Sequence, residues 1–499
     1  MPSYLSPGVY VEEVPPLARP IAGVSTSIPA FIGVFPDTVQ IPAPTQAGDN
    51  PIDINRGYKW VDVALTPVPP STLPPVSYIT TWAQYTSLFG DFVGQATSPA
   101  TKQTSPAINA GQNNLAHAVY GFFNNGGTSC YVTRVASEAN LQDALSALAK
   151  IDGISMVVAP GLVEQADHES LMDHCETLLD RVAILDPVQS DGAAGNFVKG
   201  DFHLLATPDT ATPPGLRPRD SEYAAFYFPW IQVQDPSNNF INAYANGKWS
   251  PATQLPVGWI YIDPNGNQQQ VTTAGTTGAN QPTWNTTLNG TTSDPAGAGG
   301  VTWTNIGPLP PVNIYVPPSG HIAGIYANTD ETRGVFKAPA NVNVGGALGL
   351  QWALNKADQD ILNPPGVNLI RSLNGGILVW GARTVGGEDN GDFVYISTRR
   401  YFNYLRSSIE QGTQFVVFEP NSSALWQRII RSVGDFLLNE WRNGALFGDK
   451  PEKAFFVTCD ETTNSPATIA LGQVITEIGV AIVQPAEFVI FRIQQQTAS

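Results

Sequence analysis

The run from residue 130 to residue 186 decides the fold. It reads "CYVTRV" (130–135), "LQDALSALAK" (141–150), "ISMVVAP" (154–160), "ADHESLMDHCETLLD" (166–180) and "RVAILD" (181–186). The first, third and fifth pieces are short, apolar and β-prone, so each predicts a strand. The second and fourth are longer and space their apolar residues for one helix face. Strands alternating with helices of about 10–15 residues predict βαβ units and a parallel sheet. "YAAFYFPWIQV" (223–233) predicts one further strand of that sheet. Upstream, "TWAQYTSLFG" (81–90) and "NNLAHAVYGFFNNGG" (113–127) predict helices, the second stopped by Asn-Asn-Gly-Gly.

On either side the text changes character. Residues 236–312 carry only Lys248, Asp263 and Asp294 as charges and are rich in Thr, Asn, Gly and Pro. They show no helical periodicity, which predicts an inserted all-β module with Trp249, Trp259, Trp284 and Trp303 as its small core. The α/β pattern resumes at "VPPSGHIAGIYANTD" (316–330). Residues 21–112 read as a β-rich segment that includes the apolar strand "IPAFIGVFP" (28–36). Near the C-terminus, strands are expected at "GILVWGAR" (376–383), "QFVVFE" (414–419) and "AFFVTC" (454–459). Helices are expected over 397–412 and 423–444. In the second, Leu425, Ile429, Val433, Phe436, Leu437 and Trp441 share a face and Gly444 suits a C-cap.

Bulk properties narrow the function classes. A chain of 499 residues should hold several domains. Only 13% of residues are charged, and 42 Pro and 46 Gly imply many turns. A net charge of -17 argues against a nucleic-acid partner, because phosphate neutralisation needs a basic footprint. Cys130, Cys175 and Cys459 are far apart with no CxxC pair, which predicts buried free thiols in a reducing compartment. No apolar run approaches the roughly 20 residues needed to span a bilayer, so no membrane insertion is expected. The opening stretch lacks a basic n-region followed by an apolar h-region, and the expectation is folding in a cytoplasm.

Chemistry-bearing clusters are sparse. There is no GxxxxGK[ST], and "VGGALGL" (344–350) lacks a strand-then-helix setting. His168, His174 and Cys175 lie near Asp167 and Asp173, but no second ligand pair answers them, so the segment reads as a solvated helix with one half-buried thiol. Asp186 ends a predicted strand, and Ser319 and His321 are its conceivable companions in a hydrolase-like site. Ser319 and His321 are two apart, however, and no GxSxG elbow is present. The expectation is no catalytic residue, no cofactor, no metal and no enzyme.

The two termini resemble each other instead. In "SPGVYVEEV" (6–14), Val9, Tyr10, Val11 and Val14 favour extended backbone, fenced by Pro2, Pro7, Pro15 and Pro16. In "EFVIFRI" (487–493), Phe488, Val489, Ile490, Phe491 and Ile493 do the same. Between them, residues 376–499 hold ten Lys/Arg and thirteen Asp/Glu. Arg399, Arg400, Arg406, Arg428, Arg431 and Arg442 all fall on the two predicted helices. Either those helices are solvated and paired with Glu410, Asp435 and Glu440, or they present a mildly basic face to an acidic partner.

Long stretches in order resemble the tail sheath family of contractile phage tails and contractile injection systems, above all the sheaths of extracellular, phage-tail-like particles. They are "SPGVYVEEV" (6–14), "STSIPAFIGV" (25–34), "FYFPW" (226–230), "VPPSGHIAGIYANTDETRGVFKAPAN" (316–341), "GGILVWGART" (375–384), "YISTRRYFNYLRSSIEQGTQFVVFEPN" (395–421), "FLLNEWRNGALFGDKPEKAFFVTCD" (436–460) and "GVAIVQPAEFVIFRI" (479–493). The resemblance implies a subunit that polymerises helically around an inner tube in a metastable extended state and contracts to drive the tube through a target envelope. It implies assembly in a cytoplasm, into a particle that is released or retained, with neighbouring sheath subunits, the tube protein, and baseplate and terminal cap proteins as partners. It also implies that the terminal arms add strands to a sheet of neighbouring subunits, and that the C-terminal block faces the tube, with Arg428 and Arg431 as candidates. The insertion resembles a small β module that recurs in phage structural proteins and is sometimes linked to carbohydrate; Trp284 and Trp303 are then candidates for stacking on a glycan. The expected fold is mixed α/β and α+β, in several domains. These are a 1–20 arm, a 21–112 β-rich segment, an α/β middle domain of 113–235 and 313–375, the 236–312 module, a 376–486 sheath domain and a 487–499 arm. The alternatives are a hydrolase-like enzyme using Asp186, Ser319 and His321, or a glycan-binding surface protein built on 236–312.

Overall fold

The computed structural model describes residues 20–44, 58–64, 73–90, 92, 110–189, 202–235, 249–294, 299–308 and 313–490. Val9, Tyr10, Val11 and Val14 of the N-terminal arm, and Phe491 and Ile493 of the C-terminal one, lie outside the described residues. The chain divides into two compact units. One is Thr26–Ile396; the other joins the N-terminal residues up to Ser25 with Ser397–Ser499.

The larger unit is built on a nine-stranded sheet. Its centre is the expected parallel ladder: Cys130–Val135, Pro29–Val34, Met156–Val158, Val182–Leu185, Ala224–Phe228 and Val367–Leu373 lie side by side in that order. Antiparallel strands close both ends, Val76–Ile79 beside Cys130–Val135, and Gly376–Val379 then Val342–Asn343 beyond Val367–Leu373. Alternate residues feed two separate cores, as the two-residue period of a strand requires. Phe31, Val132, Val158 and Tyr227 pack with helices Ala110–Asn124 and Ser319–Arg333. Ala30, Ile32, Val157 and Phe226 pack with helices Leu141–Leu148 and Gln165–Leu178 on the other face.

Three features of the larger unit differ from the sequence reading. Pro29–Val34 and Val76–Ile79 are strands of this sheet, so of residues 21–112 only Thr38–Pro44 and Tyr58–Ala64, paired antiparallel, form a separate sheet. "YAAFYFPWIQV" is two strands, because Pro229 offers no N–H to continue the ladder. Ala224–Phe228 stays in the large sheet. Ile231–Gln234 turns into a three-stranded sheet between Asn313–Val316 and Ala347–Leu350. Gly376–Val379 belongs to the large unit, not to the C-terminal block: Asn374 and Gly375, at φ 51° and 80°, form the tight turn that folds it back on Val367–Leu373. The C-terminal unit accordingly starts at Ser397 rather than 376.

The insertion hangs from a hairpin. Ile231–Gln234 and Asn313–Val316 pair antiparallel, and the module lies in the connection between them. Its four-stranded antiparallel sheet runs in the order Ile260–Ile262, Asn267–Thr273, Val301–Pro308, Thr291–Asp294.

The C-terminal unit is a helix pair with a small sheet. Its two long helices are Ile396–Gly412 and Ser423–Arg442, joined through a 3-10 turn at Gln414–Val416; Pro451–Ala454 and Pro466–Ala470 are short ones. "QFVVFE", expected as a strand, is this connection; ten residues between two helices leave its apolar run no strand to pair with. Phe455–Thr458 and Glu477–Val480 form an antiparallel pair.

Candidate assembly site

Helix Ser423–Arg442 organises the C-terminal unit. Ser422, extended at φ -149°, precedes its first turn, and Gly444 at φ 81° follows its last. Leu425, Ile429, Val433, Phe436 and Leu437 recur every three or four residues and are buried. Helix Ile396–Gly412 locks to it through one carboxylate: the Tyr401 and Tyr404 hydroxyls donate to Glu440 at 2.9 and 3.1 Å. Burial, with the Glu440 charge, pushes both phenols above their ordinary range, so they stay donors.

The root of the N-terminal arm runs along helix Ile396–Gly412. Val24 N–H donates to Ser408 Oγ at 3.1 Å, and Ile21 lies against Gly412. Gly23 passes under Tyr404, where a side-chain carbon would overlap the phenol oxygen. This contact is absent from any sequence motif; its only trace is the small residues Gly23, Ser408 and Gly412.

The small sheet is open. Phe455, Phe456, Val457 and Thr458 pair with Val480, Gly479, Ile478 and Glu477. Ala481 N–H donates to the Ala454 carbonyl at 2.8 Å, so the N–H of Val480, one residue earlier, points to the other edge. Among the described residues no third strand pairs with Phe455–Thr458 or Glu477–Val480; only an isolated bridge, Leu446 to Ile482, follows beyond the end of the second strand. Phe455, Val457, Ile478 and Val480, on one face, are only half-buried. Beyond Val483 the chain continues through Phe488, Val489 and Ile490 without secondary structure, and all three side chains are largely exposed.

The two arginine candidates differ. Arg428 reaches Glu419 at 3.3 Å and lies over the Phe415 ring, 5.2 Å from its centre, so it ties the interhelical connection down. Arg431 is exposed.

The conceivable hydrolase set does not assemble as one. Asp186 is buried and accepts from Ser319 N–H at 2.9 Å, Ser319 Oγ–H at 2.6 Å and Gly161 N–H at 3.1 Å. Helix Ser319–Arg333 has Pro318 at its N-cap, which supplies no capping side chain; Asp186 caps it from across the fold. No described hydrogen bond joins His321 to either residue; its ring is packed at Gly121 and burial lowers its pKa to about 4. His168 is also buried and neutral, with Nε2 3.1 Å from the Asp186 carbonyl. Cys175 is fully buried rather than half-buried, and burial pushes its thiol up. Among the described residues no group of three or more His, Cys, Asp or Glu is placed to hold a metal ion, and no helix is long and apolar enough to cross a membrane.

Trp284 and Trp303 do not present stacking faces. They are 8% and 0% exposed and pack on each other and on Tyr261, with Leu255, Val271 and Val301 completing the core of the insertion. The glycan candidates are therefore core residues: a module this small has little else to bury.

Comparison with known proteins agrees with this architecture. The family model "Phage tail sheath protein central domain" matches residues 220–385, and "Phage tail sheath C-terminal domain" matches 388–496. The tail sheath protein of Vibrio phage KVP40 is 29% identical over 183 residues, 36% of this chain and 26% of that protein. That of Enterobacteria phage T4 is 27% identical over 162 residues, 32% of this chain and 24% of that protein. The matches thus span about a quarter of these curated relatives. Among solved structures, the fold is similar to the contracted sheath complex of the extracellular contractile injection system PVC, with TM-score 0.60, 23% identity and 99% coverage of both chains. It is likewise similar to the contracted helical sheath of the anti-feeding prophage, with TM-score 0.59, 23% identity and coverage of 99% of this chain and 100% of that one. With its central and C-terminal domains both matched, the chain belongs to the phage tail sheath family.

Proposed function

We propose that this protein is the structural subunit of a contractile sheath. It polymerises helically around an inner tube, is held extended in a metastable lattice, and contracts to drive the tube through a target envelope. The observation that carries this reading is the unfinished sheet of the C-terminal unit. Two strands with open edges are followed in the chain by an exposed, apolar C-terminal stretch without secondary structure, in the unit that also holds the root of the N-terminal arm. A strand added from a neighbour would satisfy the edge N–H and C=O groups and widen the apolar face of Phe455, Val457, Ile478 and Val480. Donor and acceptor are different surfaces of one chain, so the contact is heterologous and propagates a helix instead of closing a dimer. Neighbouring sheath subunits, the tube protein, and baseplate and cap proteins are its partners, and the particle assembles in a cytoplasm.

The test is to delete residues 1–14 in one variant and to combine Val489→Pro with Phe491→Pro in another, then image the particles by electron microscopy. Proline removes a ladder donor from the arm. The expected outcome is a folded subunit that forms no stable sheath. Sheaths that assemble and fire normally would overturn the reading.

A further inference from the structure

The register of the small sheet defines a second surface. Phe456 stands opposite Gly479. The pairing continues at Ala481, whose N–H donates to Ala454. Phe447 N–H donates to the Ala481 carbonyl at 2.7 Å, and Leu446 bridges Ile482. Residues directly opposite each other share a face, as do residues two apart on one strand. Phe447, Phe456, Gly479 and Ala481 therefore project from one face. Leu446, one residue out of phase, projects from the other and is buried. Phe456 lies across Gly479, where a methyl group would overlap its ring. Positions 479 and 481 are about 7 Å apart along the strand, so the two phenylalanines make one patch. They are 72% and 52% exposed, and nothing described in the chain covers them.

We propose that this aromatic face is a contact between copies of this chain, distinct from the strand edge. It rests on the assembly reading above. The assembly reading and two observations select a second copy as the occupant. On that reading the open edge of this sheet takes a strand from a neighbour, which brings that neighbour alongside the patch. None of the four residues is charged, which leaves apolar burial as the only gain on offer. The chain also carries a matching exposed apolar stretch, Phe488–Val489–Ile490, that runs on from the strand bearing Gly479 and Ala481.

The closing experiment uses assembled particles. A photoreactive benzoylphenylalanine replaces Phe456, and irradiated particles are analysed by mass spectrometry. The expected result is a cross-link from residue 456 to another copy of this chain. A cross-link to a tube or baseplate protein instead, or none at all, would overturn the proposal. The double variant Phe447→Ser, Phe456→Ser keeps both arms and should raise the critical concentration for assembly by about tenfold. The isolated subunit should unfold as before, since both rings are already exposed. An unchanged critical concentration would also overturn it. Should the pair disturb the fold, Phe447→Ser alone is read the same way. Failure of the strand-exchange reading gives a different signature, normal assembly without residues 1–14.

Discussion

The two compact units of this chain finish their sheets in opposite ways. In the larger one, helices cover both faces and the nine strands end in short edges, Val76–Ile79 and the two-residue Val342–Asn343. Short edges are how monomers avoid unwanted pairing. In the smaller one, two strands stand with open edges, a half-covered face and an aromatic outer face. Two strands alone are marginal in water. The large unit reads as a finished body and the small one as a part awaiting its complement, so substitutions should separate folding from assembly.

The largest effect should come from proline at the edge. Val480→Pro removes an N–H that points outward, whereas Ala481→Pro removes the bond to Ala454. Val480→Pro should abolish sheath formation while moving the subunit's melting temperature by less than about 5 °C. Ala481→Pro should destabilise the subunit itself. Calorimetry and electron microscopy on both variants check the pair, and equal thermal losses would break the comparison. Next in size, Phe226→Ala in the large unit should cost about 3–5 kcal/mol in urea unfolding. Ile478→Ala, half-buried in the small sheet, should cost the free subunit about 1 kcal/mol yet weaken assembly strongly.

The same contrast governs what was legible in the sequence. The βαβ rhythm of residues 130–186 is local, so period and length alone predicted its strands and helices. Pro29–Val34 was not placed, because a strand that enters the middle of a sheet from far upstream has no flanking helix to announce it. "QFVVFE" misled because β-propensity describes a fit to a neighbouring strand, and none is there. Trp284 and Trp303 had two readings that composition does not separate; burial does. The terminal arms lie largely outside the described residues, and the packing of their root, Gly23 under Tyr404 and Val24 on Ser408, depends on contacts some 380 residues apart in sequence that no local pattern announces.

Inside the large unit, Asp186 offers a smaller and signed effect. Burial outweighs its three hydrogen bonds and lifts its carboxyl from 3.8 to about 6. The folded state therefore holds this proton more tightly than the unfolded chain. The stability so gained is fully present below about pH 4 and is lost as pH rises through about 6, a change of about 3 kcal/mol. Asp186→Asn has no proton to lose and keeps an oxygen for Ser319 N–H. Urea midpoints for the variant, relative to the native chain, should rise between about pH 4 and pH 7. A constant difference would show that Asp186 is not the titrating group.

The smallest folding effect belongs to the arginines, and it sharpens the comparison most. Arg428 shares a partly exposed ion pair with Glu419 and covers Phe415, so Arg428→Ala should cost about 1 kcal/mol or less. Arg431 is exposed, and Arg431→Ala should leave the free subunit unchanged within about 0.5 kcal/mol. If helix Ser423–Arg442 faces an acidic tube, the ranking reverses in the particle. An arginine already committed to Glu419 has less charge to offer than one that is not, so Arg431→Glu should reduce tube retention more than Arg428→Glu does. Co-sedimentation of tube with sheath, at low and high salt, reads this directly. Equal retention in both variants would mean that the helix meets its partner through something other than these two charges.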